Sequence, residues 1–364
     1  MEVPFVDLAR QFSNLKPQLI DIFSKIGESG NYILGDRLKS FEKKISKYCD
    51  VSNAVGVANG SEALFLILKA LDVKKNDEVI VPTNSFIASA WVVKALGATL
   101  RFVDVEDTLN IDPSSIEQSI NSKTKVIMAV HFTGRSAAMD EINKIASSHN
   151  IYVIEDAAQA IGASYKNKKV GSLAKAAGFS LHPLKNLSVY GDGGFITTND
   201  TILANKIKKL RNHGLKNRDD CEIWGYNSRL DEIQAAFAEI KLQYLDSWNK
   251  KNQQIADYYN QELNSIVDVP KLKSYETAVF HNYVIKSEQR DLLAKFLEGK
   301  GVQTRIHYPT PIHLQSVSKN LGYVLGDFPN AEKFAKQILS LPIYPDLNDD
   351  EIMYVISSIK SFFE

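Results

Sequence analysis

The chain has 364 residues, and its 43 Lys and Arg residues balance 43 Asp and Glu residues, so the formal net charge is zero. Nucleic-acid binders and membrane-surface proteins need a basic excess, which is missing here, and no run of about 18 apolar residues predicts a membrane span. The N-terminal residues do not resemble a secretory signal, and the two cysteines, Cys49 and Cys221, suit a reducing compartment. We therefore expect a cytoplasmic protein with neither a disulfide framework nor a metal site.

Short apolar runs alternate with helical stretches between residues 53 and 200. This alternation predicts an α/β fold, with a mostly parallel seven-stranded sheet and helices on both faces. The last two strands are too close for a helical crossover, so that corner should be irregular or antiparallel. The predicted strands are Asn53–Val57, Glu78–Val81, Thr99–Val103, Lys125–Val130, Tyr152–Glu155, Phe179–Leu181 and Phe195–Thr198, and the helices are 61–72, 86–96, 113–121 and 139–149.

After residue 200 the regular alternation of strands and helices ends. Apolar residues recur every three or four positions from Ser228 to Leu263 without a proline, which predicts one long helix. This helix would lead from a large α/β domain, residues 1–245, into a smaller α+β domain, residues 246–364, on which the N-terminal 30 residues are expected to pack. In the smaller domain we predict strands at Asn282–Ile285 and Thr304–His307 and helices at 290–299, 330–339 and 349–361.

Two motifs at predicted strand ends carry groups that can hold a ligand, because open parallel sheets bind ligands at that edge. The segment Asn59-Gly60-Ser61-Glu62 joins a strand to a helix, and a helix N-terminus beside a hydroxyl binds phosphate, although an ordinary N-cap has the same residues. The segment Ile154-Glu155-Asp156-Ala157-Ala158-Gln159 places Asp156 at a strand end. A buried carboxylate there needs a cationic partner, and the alternative is that Asp156 caps the next helix.

Two further motifs follow. The segment Ser180-Leu181-His182-Pro183-Leu184-Lys185-Asn186 places one lysine after an apolar strand. A desolvated lysine is a nucleophilic amine, whereas a solvated loop lysine is the ordinary alternative, and His182 is as compatible with packing as with chemistry. The segment Gly191-Asp192-Gly193-Gly194 is a turn that matches neither the dinucleotide fingerprint nor a P-loop, which disfavours a nicotinamide oxidoreductase and a P-loop kinase.

Taken together, the motifs supply a phosphate-binding helix N-terminus, a carboxylate for a ring nitrogen and a nucleophilic lysine. Pyridoxal phosphate needs all three, since the lysine forms the Schiff base and the carboxylate keeps the ring nitrogen protonated. Phe86 follows the second strand and is placed to cover the ring. We therefore predict pyridoxal 5'-phosphate as the cofactor.

At this point the sequence resembles the DegT/StrS-type family of nucleotide-sugar aminotransferases, within the aspartate-aminotransferase-like, fold type I group. The resemblance runs along nearly the whole chain. Besides the motifs above it includes Tyr32-Ile33-Leu34-Gly35, Asp77-Glu78-Val79-Ile80-Val81-Pro82, Arg211-Asn212-His213-Gly214, Asn227-Ser228-Arg229-Leu230 and His307-Tyr308-Pro309.

The resemblance implies a role for each site residue. Lys185 would form the Schiff base and transfer protons, and Asp156 would pair with the pyridine nitrogen. Asn227 would reach the cofactor of the neighbouring subunit, and Ser61 and Glu62 would bind phosphate largely through backbone N–H groups. The other implied cofactor-binding residues are Gly60, Phe86, Gln159 and Ser180, and the implied substrate-binding residues are Tyr32, Phe86, His182, Arg229, His307 and Tyr308.

The implied activity is transfer of an amino group from glutamate to a keto group of a nucleotide-linked sugar by a homodimer with shared active sites. The product would enter lipopolysaccharide, other surface polysaccharides or glycosylated metabolites. One branch of the family has histidine at the lysine position and dehydrates sugars, so Lys185 favours aminotransfer. The alternatives are a transaminase of a non-nucleotide keto sugar, a sugar dehydratase and a cofactor-binding regulatory protein. Arg135 departs from the family pattern and, with Arg229, is a candidate cation for a substrate phosphate.

Overall fold

The computed structural model describes residues 1–364. The α-helices are α1 Leu8–Ser29, α2 Asp36–Tyr48, α3 Gly60–Ala70, α4 Ile87–Ala95, α5 Pro113–Ser119, α6 Met139–Ser148, α7 Thr201–Leu210, α8 Glu232–Leu242, α9 Leu245–Leu263, α10 Arg290–Gly299, α11 Pro329–Gln337 and α12 Asp349–Phe363. The strands are β1 Asn53–Val57, β2 Glu78–Pro82, β3 Thr99–Val103, β4 Thr124–Val130, β5 Tyr152–Asp156, β6 Ser164–Tyr165, β7 Lys168–Lys169, β8 Ala176–Ser180, β9 Gly194–Thr198, β10 Leu215–Asn217, β11 Asp220–Cys221, β12 Glu276–Thr277, β13 Tyr283–Lys286 and β14 Ile338–Leu341.

The central sheet has seven strands in the order β1-β9-β8-β5-β4-β2-β3. Its neighbours are parallel except at β9, which runs antiparallel to both β1 and β8. Both faces are buried, since Val79 and Val81 of β2 belong to one core cluster and Ile80, which points the other way, belongs to another. The predicted fold class and its antiparallel corner are therefore confirmed, and β8 begins three residues before the predicted start at Phe179.

The predicted helix over residues 228–263 is wrong in two respects. Residues before Glu232 are not helical because they bond to distant segments: Ser228 N–H donates to the Arg211 carbonyl, and Asp231 pairs with Ile33. A break then separates α8 from α9, because the N–H groups of Gln243 and Tyr244 bond three residues back instead of four. The apolar period is continuous across this tightened turn, so periodicity alone cannot detect it.

A second apolar core has 23 buried residues, all of them C-terminal except Val3, and it includes Tyr259, Tyr283 and Val355. The strand predicted at Thr304–His307 is wrong, because only Arg305 pairs, in an isolated bridge with Ser340. The helix predicted over 330–339 ends at Gln337, where the chain turns into β14 and pairs antiparallel with β13. The domain boundary at residue 245 stays a prediction.

The N-terminal segment contacts two parts of the molecule. Val3 belongs to the C-terminal core and pairs with Val302. The helix α1 packs on α8, where Leu15 and Leu19 share a cluster with Phe237. None of the helices combines the length and the apolar character that crossing a membrane requires.

Candidate active site

A cavity of about 580 Å³ lies where β1, β2, β4, β5 and β8 end. This is the edge of a parallel sheet at which ligands bind. Both residues predicted to be catalytic line the cavity, together with most of the predicted binding residues. The predicted residues found there are Gly60, Ser61, Glu62, Phe86, Asp156, Gln159, Ser180, His182, Lys185, His307 and Tyr308.

One end of the cavity is built by the first turn of α3 and the end of β8. Asn59 caps the helix, because its side-chain oxygen accepts the Glu62 N–H at 2.9 Å. Gly60 is required by close packing, since an added Cβ would lie 2.7 Å from the Cβ of Ser180. The N–H groups of Gly60 and Ser61, which the Asn59 cap leaves free, and the hydroxyls of Ser61 and Ser180 supply the donors of an anion site.

Glu62 differs from what the family resemblance implies. Its N–H group is already bonded to the Asn59 cap, so this group is not free for a phosphate. Its carboxylate oxygen Oε2 is buried and has no hydrogen-bond partner within the protein. Glu62 therefore adds an unpartnered acceptor to the cavity wall.

Asp156 is the last residue of β5 and is 6% exposed. Its Oδ2 accepts a hydrogen bond from the Ser89 hydroxyl at 2.6 Å, and its Oδ1 accepts one from the Ala158 N–H at 3.2 Å. No helix begins at this position, so the alternative that Asp156 is a helix cap is wrong. Gln159 lies three residues on, and its Oε1 accepts the Thr133 N–H at 2.7 Å.

Lys185 lies in the loop between β8 and β9. The backbone N–H of Lys185 donates to the His182 carbonyl at 2.8 Å. This bond closes a turn and so fixes the direction in which the side chain leaves the backbone. Burial lowers the pKa of the Lys185 amine to about 8, and the Asp156 carboxylate opposes this shift. About a tenth of the amine is therefore neutral, and thus nucleophilic, at pH 7, far more than for a solvated lysine.

Aromatic residues form another wall. The rings of Phe86 and Tyr308 lie 5.9 Å apart between centroids, and 55% of Phe86 is exposed, which leaves a surface on which a planar ligand can stack. His307 is held by a hydrogen bond of 2.8 Å between its Nδ1 and the Ser340 hydroxyl. Burial lowers the pKa of His307 to about 4, with Lys185 and Arg305 acting in the same direction, so this imidazole is neutral at pH 7.

Three predicted residues lie outside the cavity of their own chain, namely Tyr32, Asn227 and Arg229. Asn227 is exposed and its backbone pairs with Asn212, whose side-chain oxygen accepts a hydrogen bond from Arg229 at 3.2 Å. Arg135 does not line this cavity either. Its guanidinium forms an ion pair of 2.6 Å with Glu276, and the residue lines a different cavity of about 200 Å³.

Among the wall residues that sequence reasoning did not predict, His281 and Trp91 have side chains suited to binding. His281 precedes β13, and burial together with the neighbouring Lys185 amine lowers its pKa well below the usual value. It belongs to a segment far from the sheet motifs in sequence, so no local pattern marked it. Trp91 is 50% exposed on α4, and an aromatic residue at helical spacing is ordinarily read as core.

Comparison with known proteins supplies the family. A model described as the DegT/DnrJ/EryC1/StrS aminotransferase family matches residues 14–360. The chain belongs to this family. This confirms the predicted family and the assignment as a pyridoxal-phosphate-dependent sugar aminotransferase.

Individual curated proteins and solved structures match along almost the whole chain. A Geobacillus stearothermophilus protein named as a pleiotropic regulatory protein is 42% identical over 100% of this chain and 99% of its own. A dTDP-3-amino-3,6-dideoxy-alpha-D-galactopyranose transaminase of Aneurinibacillus thermoaerophilus is 42% identical over 99% of each chain. The crystal structure of S. venezuelae DesV superposes with a TM-score of 0.98 at 38% identity, covering 100% of this chain and 99% of that one.

The cavity residues fit the cofactor of the DegT/DnrJ/EryC1/StrS family, and other solved neighbours are described with its pyridoxal or pyridoxamine form. The anion site at Gly60, Ser61 and Ser180 suits the phosphate, and no acidic side chain pairs with the Lys185 amine. Asp156 offers a buried carboxylate that accepts hydrogen bonds on both oxygens. These three features lie in one cavity, as the cofactor requires.

Proposed function

We propose that this chain transfers an amino group from glutamate to a keto group of a nucleotide-linked sugar, using pyridoxal phosphate. The observation that carries the proposal is the presence of Lys185, Asp156 and the α3 N-terminus in one cavity. When bound, the cofactor supplies an electron sink for bond changes at the carbon that carries nitrogen. The chain's own residues bind and orient the cofactor. Lys185 would provide the amine and move protons, and the N-terminus of α3 would bind the phosphate. The Asp156 carboxylate would stabilise the positive charge of the protonated ring nitrogen.

The residues of the cavity favour aminotransfer over dehydration and over a purely regulatory role. A dehydratase of this family would, by resemblance, have histidine at the position of Lys185. A purely regulatory protein would not need both a buried amine and a buried carboxylate in one cavity, and Lys185 and Asp156 supply both here. Glutamate-dependent conversion of bound pyridoxal phosphate to the amine form, followed by absorbance, would separate a working transaminase from a regulator that only binds the cofactor.

A cytoplasmic location is part of the proposal. Both cysteines are free, and Cys221 is exposed, which suits a reducing compartment. The use of the product in lipopolysaccharide, another surface polysaccharide or a glycosylated metabolite likewise stays a proposal, supported by the family resemblance.

The nucleotide should provide most of the acceptor's binding energy. A polar monosaccharide gains little when it exchanges water for protein hydrogen bonds, whereas a diphosphate and a base add charge-assisted contacts and stacking area remote from the reacting carbon. Trp91, which is 50% exposed on the cavity wall, offers such area beside the ring position assigned to Phe86. We expect kcat/KM for a keto sugar to be about 100-fold higher or more with its nucleoside diphosphate than without it.

The acceptor comparison is best made over UDP-, dTDP- and GDP-keto sugars, with the matching free sugars as controls and glutamate as donor. Similar kcat/KM values for free and nucleotide-linked acceptors would reject the nucleotide-sugar substrate. The cofactor assignment would stand in that case, because it depends on Lys185 and Asp156 and not on the acceptor.

We further propose a homodimer in which Asn227 and Arg229 complete the partner's site. Support comes from their position outside their own cavity and from exposed apolar residues that flank them: Trp224, three residues before Asn227, is 97% exposed, and Ile33, whose backbone pairs with Asp231, is 42% exposed. Apolar side chains grouped at a surface are typical of an interface.

Subunit complementation tests the shared site. Lys185→Ala chains and Asn227→Asp/Arg229→Ala chains should each be inactive alone. After mixing in equal amounts and refolding, half of the dimers are mixed and each contains one intact site, so we expect about a quarter of the wild-type activity. Differently tagged chains allow the mixed dimers to be isolated. Inactive mixed dimers, with thermal melting like that of the parents, would show that each chain builds its own site.

A further inference from the structure

Two short hydrogen bonds link Ser85, which precedes α4, through Ser89 of α4 to Asp156. The Ser89 hydroxyl lies 2.6 Å from Asp156 Oδ2 and also 2.6 Å from the Ser85 hydroxyl, which in turn lies 3.0 Å from the Phe86 carbonyl. All of these side chains except that of Phe86 are buried, and Ser89 has no exposed surface. Water therefore cannot replace the Ser89 hydroxyl at Asp156 without a change in packing.

Counting protons determines which hydroxyl donates. An ionised carboxylate only accepts hydrogen bonds, so the single Ser89 proton lies between Ser89 and Asp156. If Ser85 donated to the Phe86 carbonyl, the oxygens of Ser85 and Ser89 would lie 2.6 Å apart with no proton between them. Ser85 therefore donates to Ser89, and Ser89 donates to Asp156.

We propose that Ser89 is a positioning residue that, through its hydrogen bond to Asp156 Oδ2, holds this carboxylate in the orientation that serves the cofactor ring. A hydroxyl that donates to a carboxylate stabilises its charged form, and a contact of 2.6 Å is in the range of charge-assisted bonds. The Ala158 N–H restrains the other oxygen, so the two donors together define the carboxylate plane. The inference rests on the proposed function, since it assumes that Asp156 serves the ring nitrogen.

Ser89→Ala tests the role with the loss of one oxygen atom. We expect the dissociation constant of pyridoxal phosphate, measured by titrating the cofactor-free protein, to rise about tenfold and kcat to fall by a similar factor, with a smaller change in KM for glutamate. The pH dependence of the bound cofactor's absorbance should also shift. The ring nitrogen would be protonated beside a carboxylate that has lost the Ser89 hydrogen bond. Ser85→Ala is the matched control and should change each quantity by no more than about threefold, because Ser89 can still donate.

A double-mutant cycle asks whether Ser89 acts through Asp156. On an Asp156→Asn background the charge is gone, so Ser89→Ala should change cofactor affinity less than about twofold. Equal losses on both backgrounds would overturn the inference and assign Ser89 to packing. A Ser89→Ala protein that matches wild type in affinity, absorbance and turnover would also overturn it. Failure of the wild-type protein to bind pyridoxal phosphate or to use glutamate would instead reject the proposed function.

Discussion

Lys185→Ala should lower turnover by about 10⁴-fold or more and remove the visible absorbance of covalently held pyridoxal phosphate. The reason is that nucleophile and proton carrier are the same amine, which is partly desolvated in the cavity and has its pKa lowered to about 8. Absorbance spectra of the loaded protein and steady-state rates with glutamate and a keto sugar measure both effects. The cofactor should still bind through the anion site at α3, with weaker affinity.

Lys241→Met is a matched control for the loss of a buried amine. Burial also lowers the pKa of Lys241 to about 8, but its Nζ donates to Gln11 and Ser188, at 3.0 Å each, outside the cavity. This variant should keep the visible absorbance, which would show that a lowered pKa alone does not create the reactive lysine. Sustained multiple turnover by Lys185→Ala without an added amine would disprove the assignment.

Asp156→Asn should lower kcat by about 10²-fold to 10³-fold with the fold intact. The amide has nearly the same shape, but it removes the negative charge that holds a proton on the ring nitrogen and opposes the lowered pKa of Lys185. Both carboxylate oxygens of Asp156 accept a hydrogen bond, one from Ser89 and one from the Ala158 N–H. In the amide one of these oxygens is replaced by an NH₂ group, which cannot accept, so one of the two hydrogen bonds is lost. Rates and the absorbance maximum of the bound cofactor report the loss.

Thermal melting of the cofactor-free Asp156→Asn protein controls for folding, and it should fall by no more than a few degrees, because the volume is unchanged and only one buried hydrogen bond is lost. A rate near that of wild type would mean that another group protonates the ring. The same variant serves as the background for the Ser89 cycle, so both experiments can be read together.

Local patterns were sufficient for the sheet and for the placement of the motifs. The bounds of β1 and β3 agree with the predicted ones, and Asp112 with Pro113 begins α5 as a capping residue followed by proline. Helix 228–263 was mispredicted because its apolar period says nothing about the bonds that Ser228 makes to Arg211. Sequence patterns report which residues are buried, and long-range pairing decides where a helix starts.

The sequence by itself determined the family, the α/β class and the motifs at one sheet edge, since parallel strands place their carboxyl ends together whatever the side chains are. Only the tertiary structure decided the partners of those motifs. Ser89 reaches Asp156 across 67 positions of sequence, and His281 reaches the Lys185 cavity from the segment just before β13. Such contacts depend on how α4 and the C-terminal residues pack on the sheet, and packing joins side chains that no local spacing relates.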